Sequence, residues 1–239
     1  MGIVFQADDI PNQRPVALKF LGDAHLNSHD VVARFQQEGQ ILSGIHHPNL
    51  CAVYEVGYWQ NRPFLAMELL DGWTLTQRLA IRRLHPHEAL EVGMQALCGF
   101  GAAHMAGIVH RDVKPANVFI TRKAEVKVLD FGLAKDHTGT PLGQSPSISA
   151  YMAPEQVRGE LLDPRANLYS LGLVLHEAMN GKLPQFGMPS ADIHPELAPV
   201  LARLSAPDRN ARYRDAAEAY NAMLAIKRAG GPRPMAPAG

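Results

Sequence analysis

The sequence predicts an α+β fold in two unequal lobes: a small antiparallel sheet with one helix, then a larger and mainly helical body, with a cleft between them. Three observations carry this expectation. In the first 70 residues, short runs rich in Val, Phe, Leu and Tyr alternate with turn residues, and a single helical pattern interrupts them. Beyond Gly72 the apolar positions recur mainly at helical spacing, above all in EALEVGMQALCGFGAAHMAG and DPRANLYSLGLVLHEAMNG. With 239 residues, 46% of them hydrophobic, the chain is long enough for one large domain or two small lobes around a substantial core.

In chain order, residues 3–7 and 15–21 flank DDIPNQRP, whose Asp, Pro and Asn favour a turn, and so read as a hairpin. Asp30 is placed to cap a helix whose Val31, Phe35, Leu42 and Ile45 share one face, and HHPN ends it before Pro48. LCAVYEVGY and RPFLAMELL read as two more strands. The first long helix ends on Gly107. The second has Asp163 as N-cap, Pro164 in its first turn and Gly181 just past its end. A last helix around RDAAEAYNAMLAIKRA runs into GGPRPMAPAG, whose Gly and Pro suit a disordered linker. The expected divisions are residues 1–70, 71–228 and a tail at 229–239.

Composition narrows the function. Lys and Arg total 23 against 23 Asp and Glu, so no global basic field is available to hold nucleic acid or an anionic membrane. Cys51 and Cys98 lie far apart, fit no zinc or CxxC spacing, and read as reduced core thiols of a cytoplasmic protein. No basic leader precedes an apolar run, and no stretch approaches the roughly 20 apolar residues of a membrane span. His25 with His29, and His85 with His87, lack a third ligand and read as surface histidines.

The chemistry lies between the two long helices. HRDVKPAN places Asp112, Lys114 and Asn117 on one loop, and LDFG adds Asp130. Two carboxylates, an amide and an ammonium suit a metal-bound polyphosphate: Asp112 can accept a hydroxyl proton, Lys114 can offset charge on a moving phosphoryl group, and Asn117 with Asp130 offers hard oxygen ligands to Mg²⁺. HRDxKPxN, DFG and APE, in this order and spacing, resemble a protein kinase domain of the bacterial Ser/Thr type from residue 2 to about residue 226.

The resemblance implies a bilobal kinase fold that takes ATP with Mg²⁺ or Mn²⁺ and transfers its γ-phosphoryl group to a protein Ser or Thr hydroxyl. Lys114 after Asp112 is the feature that resembles Ser/Thr rather than tyrosine kinases. The resemblance also implies that Lys19 of VALK holds the phosphates and pairs with Glu38 of the first helix. Val4, Ala17 and Phe119 would sandwich the adenine, Met67 would be the gatekeeper and Glu68 to Leu70 the hinge. Leu42, Val53, His110 and Phe131 would form a stack joining the lobes, and Glu155 would pair with Arg212. Arg111 resembles the arginine of kinases ordered by a phosphate on the activation segment, for which Thr138, Thr140, Ser145 and Ser147 are candidates. No oligomeric state is implied.

The chain departs from the family pattern in four places. The loop over the phosphates reads GxGxxGxV in the family, and MGIVF supplies only its last glycine, Gly2, with Val4 behind it. The small lobe is therefore expected to lack its first strand and to bind nucleotide less tightly. Ile148 stands where the family has a threonine, and Asn167 where it has an aspartate that anchors the catalytic loop. LPQFGMPSADIHPEL is short for the substrate-docking segment. These departures support an alternative, a pseudokinase that serves as a binding or regulatory module.

Overall fold

The computed structural model of the chain describes residues 3–131, 150–184 and 193–232. The activation-segment candidates, Ile148, Gly2, most of the short docking segment and the end of the tail lie outside the described residues. The expected α+β, two-lobed architecture is present. Strands β1 (Val4–Asp9), β2 (Arg14–Phe20), β3 (Val53–Trp59) and β4 (Arg62–Glu68) form an antiparallel sheet in the order β1-β2-β4-β3. Helix α1 (His29–Ser43) buries Val31, Phe35 and Leu42 against it. Its first residue lies one position ahead of Asp30, so Ser28 takes the N-cap position and Asp30 sits in the first turn. There its carboxylate still favours the positive end of the helix dipole.

A second sheet was not legible in the sequence. Strands β5 (Gly72–Thr74), β6 (Val118–Thr121) and β7 (Val126–Val128) pair antiparallel in that order. Strands of three or four residues are too short for alternation to register. Around them lie α2 (Leu75–Ile81), α3 (Pro86–Met105), α4 (Pro154–Val157), α5 (Arg165–Asn180), α6 (Ala198–Leu204) and α7 (Ala216–Arg228). Helix α5 begins one residue later than expected, with Pro164 at the N-cap position. Asp163 Oδ1 accepts a hydrogen bond from the Arg165 N–H at 2.8 Å and so secures the start from just outside. Gly181 ends α5 in the left-handed conformation, φ 72°, as a C-terminal glycine should.

The core is centred on α3 and α5. In α5 every residue but Arg165, Glu177 and Met179 is buried, the pattern of a helix surrounded by protein on all sides. On α3, a Cβ at Gly99 would lie 2.6 Å from the Asn49 carbonyl oxygen, so the turn after α1 rests directly on α3. From there Asn49 Nδ2 donates to the Val126 carbonyl at 2.9 Å, the Val128 N–H donates to the Asn49 carbonyl at 2.9 Å and the Cys51 N–H donates to the Val128 carbonyl at 3.0 Å. The turn therefore ties the small lobe to β7. The half-buried Cys51 lies beside it, where desolvation and the Glu68 and Asp130 carboxylates push its thiol up to about 12, an inert thiol.

Two buried polar groups support this core. Arg212 forks onto Glu155, Nη1 to Oε1 at 2.6 Å and Nη2 to Oε2 at 2.8 Å, with both side chains almost wholly enclosed. The His110 ring, fully buried, lies 4.6 Å from the Phe131 ring and edge-on to Phe100. Its Nδ1 accepts the Asp112 N–H at 3.2 Å and its Nε2 lies 2.6 Å from the Leu129 carbonyl, which can only accept. The imidazole is therefore the neutral Nε2–H tautomer. Burial lowers its pKa from 6.5 to about 4, against the smaller raising effects of the Leu129 carbonyl, Asp112 and Asp130.

Removing one partner of the Glu155–Arg212 pair strands a buried charge. Arg212→Met is expected to cost about 3–5 kcal/mol of unfolding free energy in a urea titration, and Glu155→Leu in the same chain to restore more than half of that loss. For His110, the folded state binds its proton less readily than the unfolded chain. Its contribution to stability, about 3 kcal/mol, is fully present above pH ~6.5 and is lost as pH falls through ~4. Melting temperatures across that window should fall more steeply for the parent than for His110→Phe.

Candidate active site

The cleft is lined by the sheet above and by the loop from α3 to β6 below. Helix α3 ends at Met105, Gly107 turns the chain just past it at φ 77°, and the chain then runs through His110, Arg111 and Asp112 to a short 3₁₀ turn at Pro115–Asn117. Arg111 and Asp130 adopt positive φ, 63° and 51°, a conformation that costs non-glycine residues about 1–3 kcal/mol each and persists only where the surroundings enforce it. The enforcement is visible. Asn167 Oδ1, on α5, accepts the His110 N–H at 3.0 Å in a buried setting, and Gln156 Nε2 donates to the Arg111 carbonyl at 2.9 Å. Asn117 Nδ2 donates to the Asp112 carbonyl at 2.8 Å, and the Leu129 N–H donates to the Asn117 carbonyl at 2.9 Å.

Asn167 thus makes the anchoring bond to the catalytic loop. His104 Nε2 lies 2.9 Å from the same Oδ1, and because that oxygen accepts from the main chain, His104 must donate to it. Burial lowers the His104 pKa, consistent with a neutral ring. His104 is a residue that sequence reasoning missed, since nothing local ties α3 to α5.

Asp112, Lys114 and Asn117 touch one another, whereas Asp130 lies on the segment after β7, next to Leu129, whose N–H is bonded to the Asn117 carbonyl. Lys114 Nζ lies 2.7 Å from Asp112 Oδ2, and Asn117 Nδ2 lies 3.2 Å from the same oxygen. Both Asn117 Nδ2 contacts point that nitrogen at Asp112, which leaves Oδ1 as the atom for a cation. Strand register puts Val4 opposite Lys19, and Ala17 opposite Met67, with Ala17 and Lys19 on one face of β2. Phe119 lies on β6, opposite Thr74 and Lys127, in the sheet below. At the end of β4 both main-chain groups of Glu68 are engaged, its N–H with the Ala52 carbonyl at 2.9 Å and its carbonyl with the Cys51 thiol at 3.7 Å, so within 68–70 the main chain of residues 69–70 is what could meet a ligand. Leu42, Val53, Met67 and Phe131 line a cavity of about 20 Å³ that also touches Asp130.

One expected contact differs. Lys19 does not pair with Glu38: its Nζ lies 2.5 Å from Asp130 Oδ1, and Glu38 Oε1 lies 2.8 Å from Arg111 Nη1. Packing explains the direction of Glu38. At its neighbour Gly39 a Cβ would lie 2.6 Å from Leu65 Cδ2, so α1 rests directly on β4 and the carboxylate one residue earlier points along the helix side, to the catalytic loop. The Asp130 backbone in turn presents its carboxylate to Lys19.

Beside Glu38 and Arg111, a cavity of about 280 Å³ is also lined by Arg34 and Gln37. Arg34, one turn before Glu38, has no ion pair or hydrogen bond among the described residues. Among the described residues the pocket is therefore lined by two guanidiniums and one carboxylate. The four-residue spacing of Arg34 and Glu38 was the sequence signal for this, but periodicity does not say what faces the stripe.

Comparison with known proteins adds the family. The protein kinase domain profile matches residues 1–217. The serine/threonine-protein kinase PrkC of Bacillus subtilis is 35% identical over 197 residues, 81% of this chain and 30% of that protein. PknL of Mycobacterium tuberculosis is 38% identical over 192 residues, 77% of this chain and 47% of that protein. The chain thus spans less than half the length of these curated relatives. The crystal structure of the Mycobacterium tuberculosis PknI kinase domain superposes with a TM-score of 0.78 at 29% identity, covering 94% of this chain and 90% of that one. With the loop, the anchoring helix and the two-lobed frame matching over nearly the whole chain, the protein belongs to the protein kinase family.

Proposed function

We propose that this chain is a Ser/Thr protein kinase domain that transfers the γ-phosphoryl group of ATP to a protein hydroxyl, and the observation that carries the reading is the Asp112–Lys114–Asn117 cluster, tied through the Leu129 N–H to the segment on which Asp130 meets Lys19. Asp112 Oδ2 accepts the proton of the attacking Ser or Thr hydroxyl, and Lys114, 2.7 Å away, offsets the charge that develops on the transferred group. Lys19 orients the phosphate chain of ATP, whose oxygens compete with Asp130 for its ammonium. The adenine sits between Val4 and Ala17 above and Phe119 below, against the residues 68–70.

The donor set fits a hard divalent cation, Mg²⁺ or Mn²⁺. Asp130 and the Asn117 Oδ1 are oxygen ligands, and among the described residues no cluster of three His, Cys, Asp or Glu side chains could hold a metal alone. Mg²⁺ typically uses one or two protein oxygens and completes its shell with phosphates and water. When bound it neutralises phosphate charge. No described helix is long and apolar enough to cross a membrane, which suits a domain acting on protein substrates in the cytoplasm.

The cavity at Arg34 and Arg111 supports control by phosphorylation at Thr138, Thr140, Ser145 or Ser147. A phosphate carries up to two negative charges against the single one of Glu38, and grips two guanidiniums through charge-assisted bonds. By displacing Glu38 from Arg111 it frees that carboxylate for Lys19.

With Asp112→Asn, the phosphorylation rate of a Ser/Thr peptide should fall about 10²–10⁴-fold while calorimetric ATP affinity stays near the parent value; phosphorylation at the parent rate would remove Asp112 from the base role. Absence of ATP turnover in the parent itself would favour the pseudokinase alternative. For the regulatory reading, rates are compared before and after phosphatase treatment. Arg34→Ala should cut the activation attributable to phosphate by about tenfold, the size of one charge-assisted hydrogen bond.

A further inference from the structure

Among the described residues three ion pairs cross the cleft. Two, Lys19 with Asp130 and Glu38 with Arg111, use groups the proposed reaction needs; the third does not. Lys127, at the centre of β7, places Nζ 2.9 Å from both carboxylate oxygens of Glu68, the last residue of β4 before the chain crosses between lobes. Both ends of this contact are held. The Ala52 N–H donates to Glu68 Oε2 at 3.3 Å, and the Glu68 N–H donates to the Ala52 carbonyl at 2.9 Å. On the other side, the Val126 N–H donates to Gln95 Oε1 at 2.8 Å, and both flanking residues of Lys127 are bonded to Asn49, as described above. Asp130 follows Lys127 by three residues. One short strand of the large lobe therefore grips the hinge through Lys127, and the segment that follows it directly meets Lys19 through Asp130.

We infer that Lys127 is a positioning residue for the hinge: acting through the Glu68 carboxylate, it sets the spacing between residues 68–70 and Asp130, and hence the opening of the cleft, before nucleotide arrives. The inference rests on the nucleotide-binding reading above. Its physical content is preorganisation. A hinge clamped in advance has less freedom to lose on binding, so the clamp strengthens nucleotide affinity without touching the ligand. The side chains are 12% and 27% exposed, shielded enough for the pair to be more than a solvated surface contact.

The test uses Lys127→Met, Glu68→Gln and the double variant, read by hydrogen exchange without nucleotide, by calorimetric ADP binding and by steady-state kinetics. Each single change should speed exchange of the amides at 68–72 by about tenfold relative to α3 and α5, and raise the ADP Kd about 3–10-fold, with KM for ATP rising more than kcat falls. The double variant should be no worse than either single change, because both remove the same contact. Hinge exchange and Kd within about twofold of the parent in both single variants would overturn the inference. So would exchange that rises equally in α3 and α5, the mark of a merely structural pair, or single effects that multiply in the double variant. If the parent binds no nucleotide, the functional reading fails, and hinge exchange alone decides whether the clamp exists.

Discussion

The loop through His110, Arg111 and Asp112 keeps its shape because Asn167 accepts the main-chain N–H of His110 inside a core that excludes water. A hydrogen bond there is hard to replace, and it holds the chain just before Arg111, whose positive φ the loop could not otherwise sustain. Helix α5, which carries Asn167, can serve as this anchor because it is buried on nearly every side. The enclosed Glu155–Arg212 pair and the Gln156 bond to the Arg111 carbonyl extend the same support to the segment before α5. The usual aspartate would add charge to this bond, but the amide retains the acceptor, and His104 orients it.

The cleft is built differently from the core. Its charges are close, partly exposed and able to exchange partners: Lys19 lies with Asp130, Glu38 with Arg111, and Arg34 stands by without an ion pair among the described residues. Exchanging one pair for another conserves the number of charge contacts, so the energy separating the arrangements is small compared with the energy of making any one of them. On the proposed reading, an incoming phosphate selects an arrangement at modest cost. Lys127 and Glu68 stand outside this exchange, as neither is needed by phosphate or by the proton acceptor. A rigid reference beside exchangeable pairs is what a cleft needs if it is to close in one register.

Much of this was legible in the sequence. The hairpin, α1, α3, α5 and α7 followed from periodicity and end signals, and the neighbourhood of Asp112, Lys114 and Asn117 followed from motif spacing, because the three lie within six residues of one loop and have few ways to be arranged. The β5-β6-β7 sheet did not, since its strands are too short to show alternation. The N-cap of α1 was misplaced by two residues, and that of α5 by one, because Asp30 and Asp163 act near the helix start without occupying the cap itself.

What the sequence by itself determined was the two-lobed α+β plan and the identity of the central polar residues, since helix and strand periods, turns and motif spacing are local properties of the chain. Only the tertiary structure decided which charge meets which. The Lys19–Glu38 pair expected from the motif gave way to Lys19–Asp130 and Glu38–Arg111, and Arg34, His104 and Lys127 entered the site unannounced. The reason is that partner choice depends on how closely α1 approaches β4 at Gly39 and where the turn at Asn49 sets β7, distances fixed by packing between segments far apart in the chain.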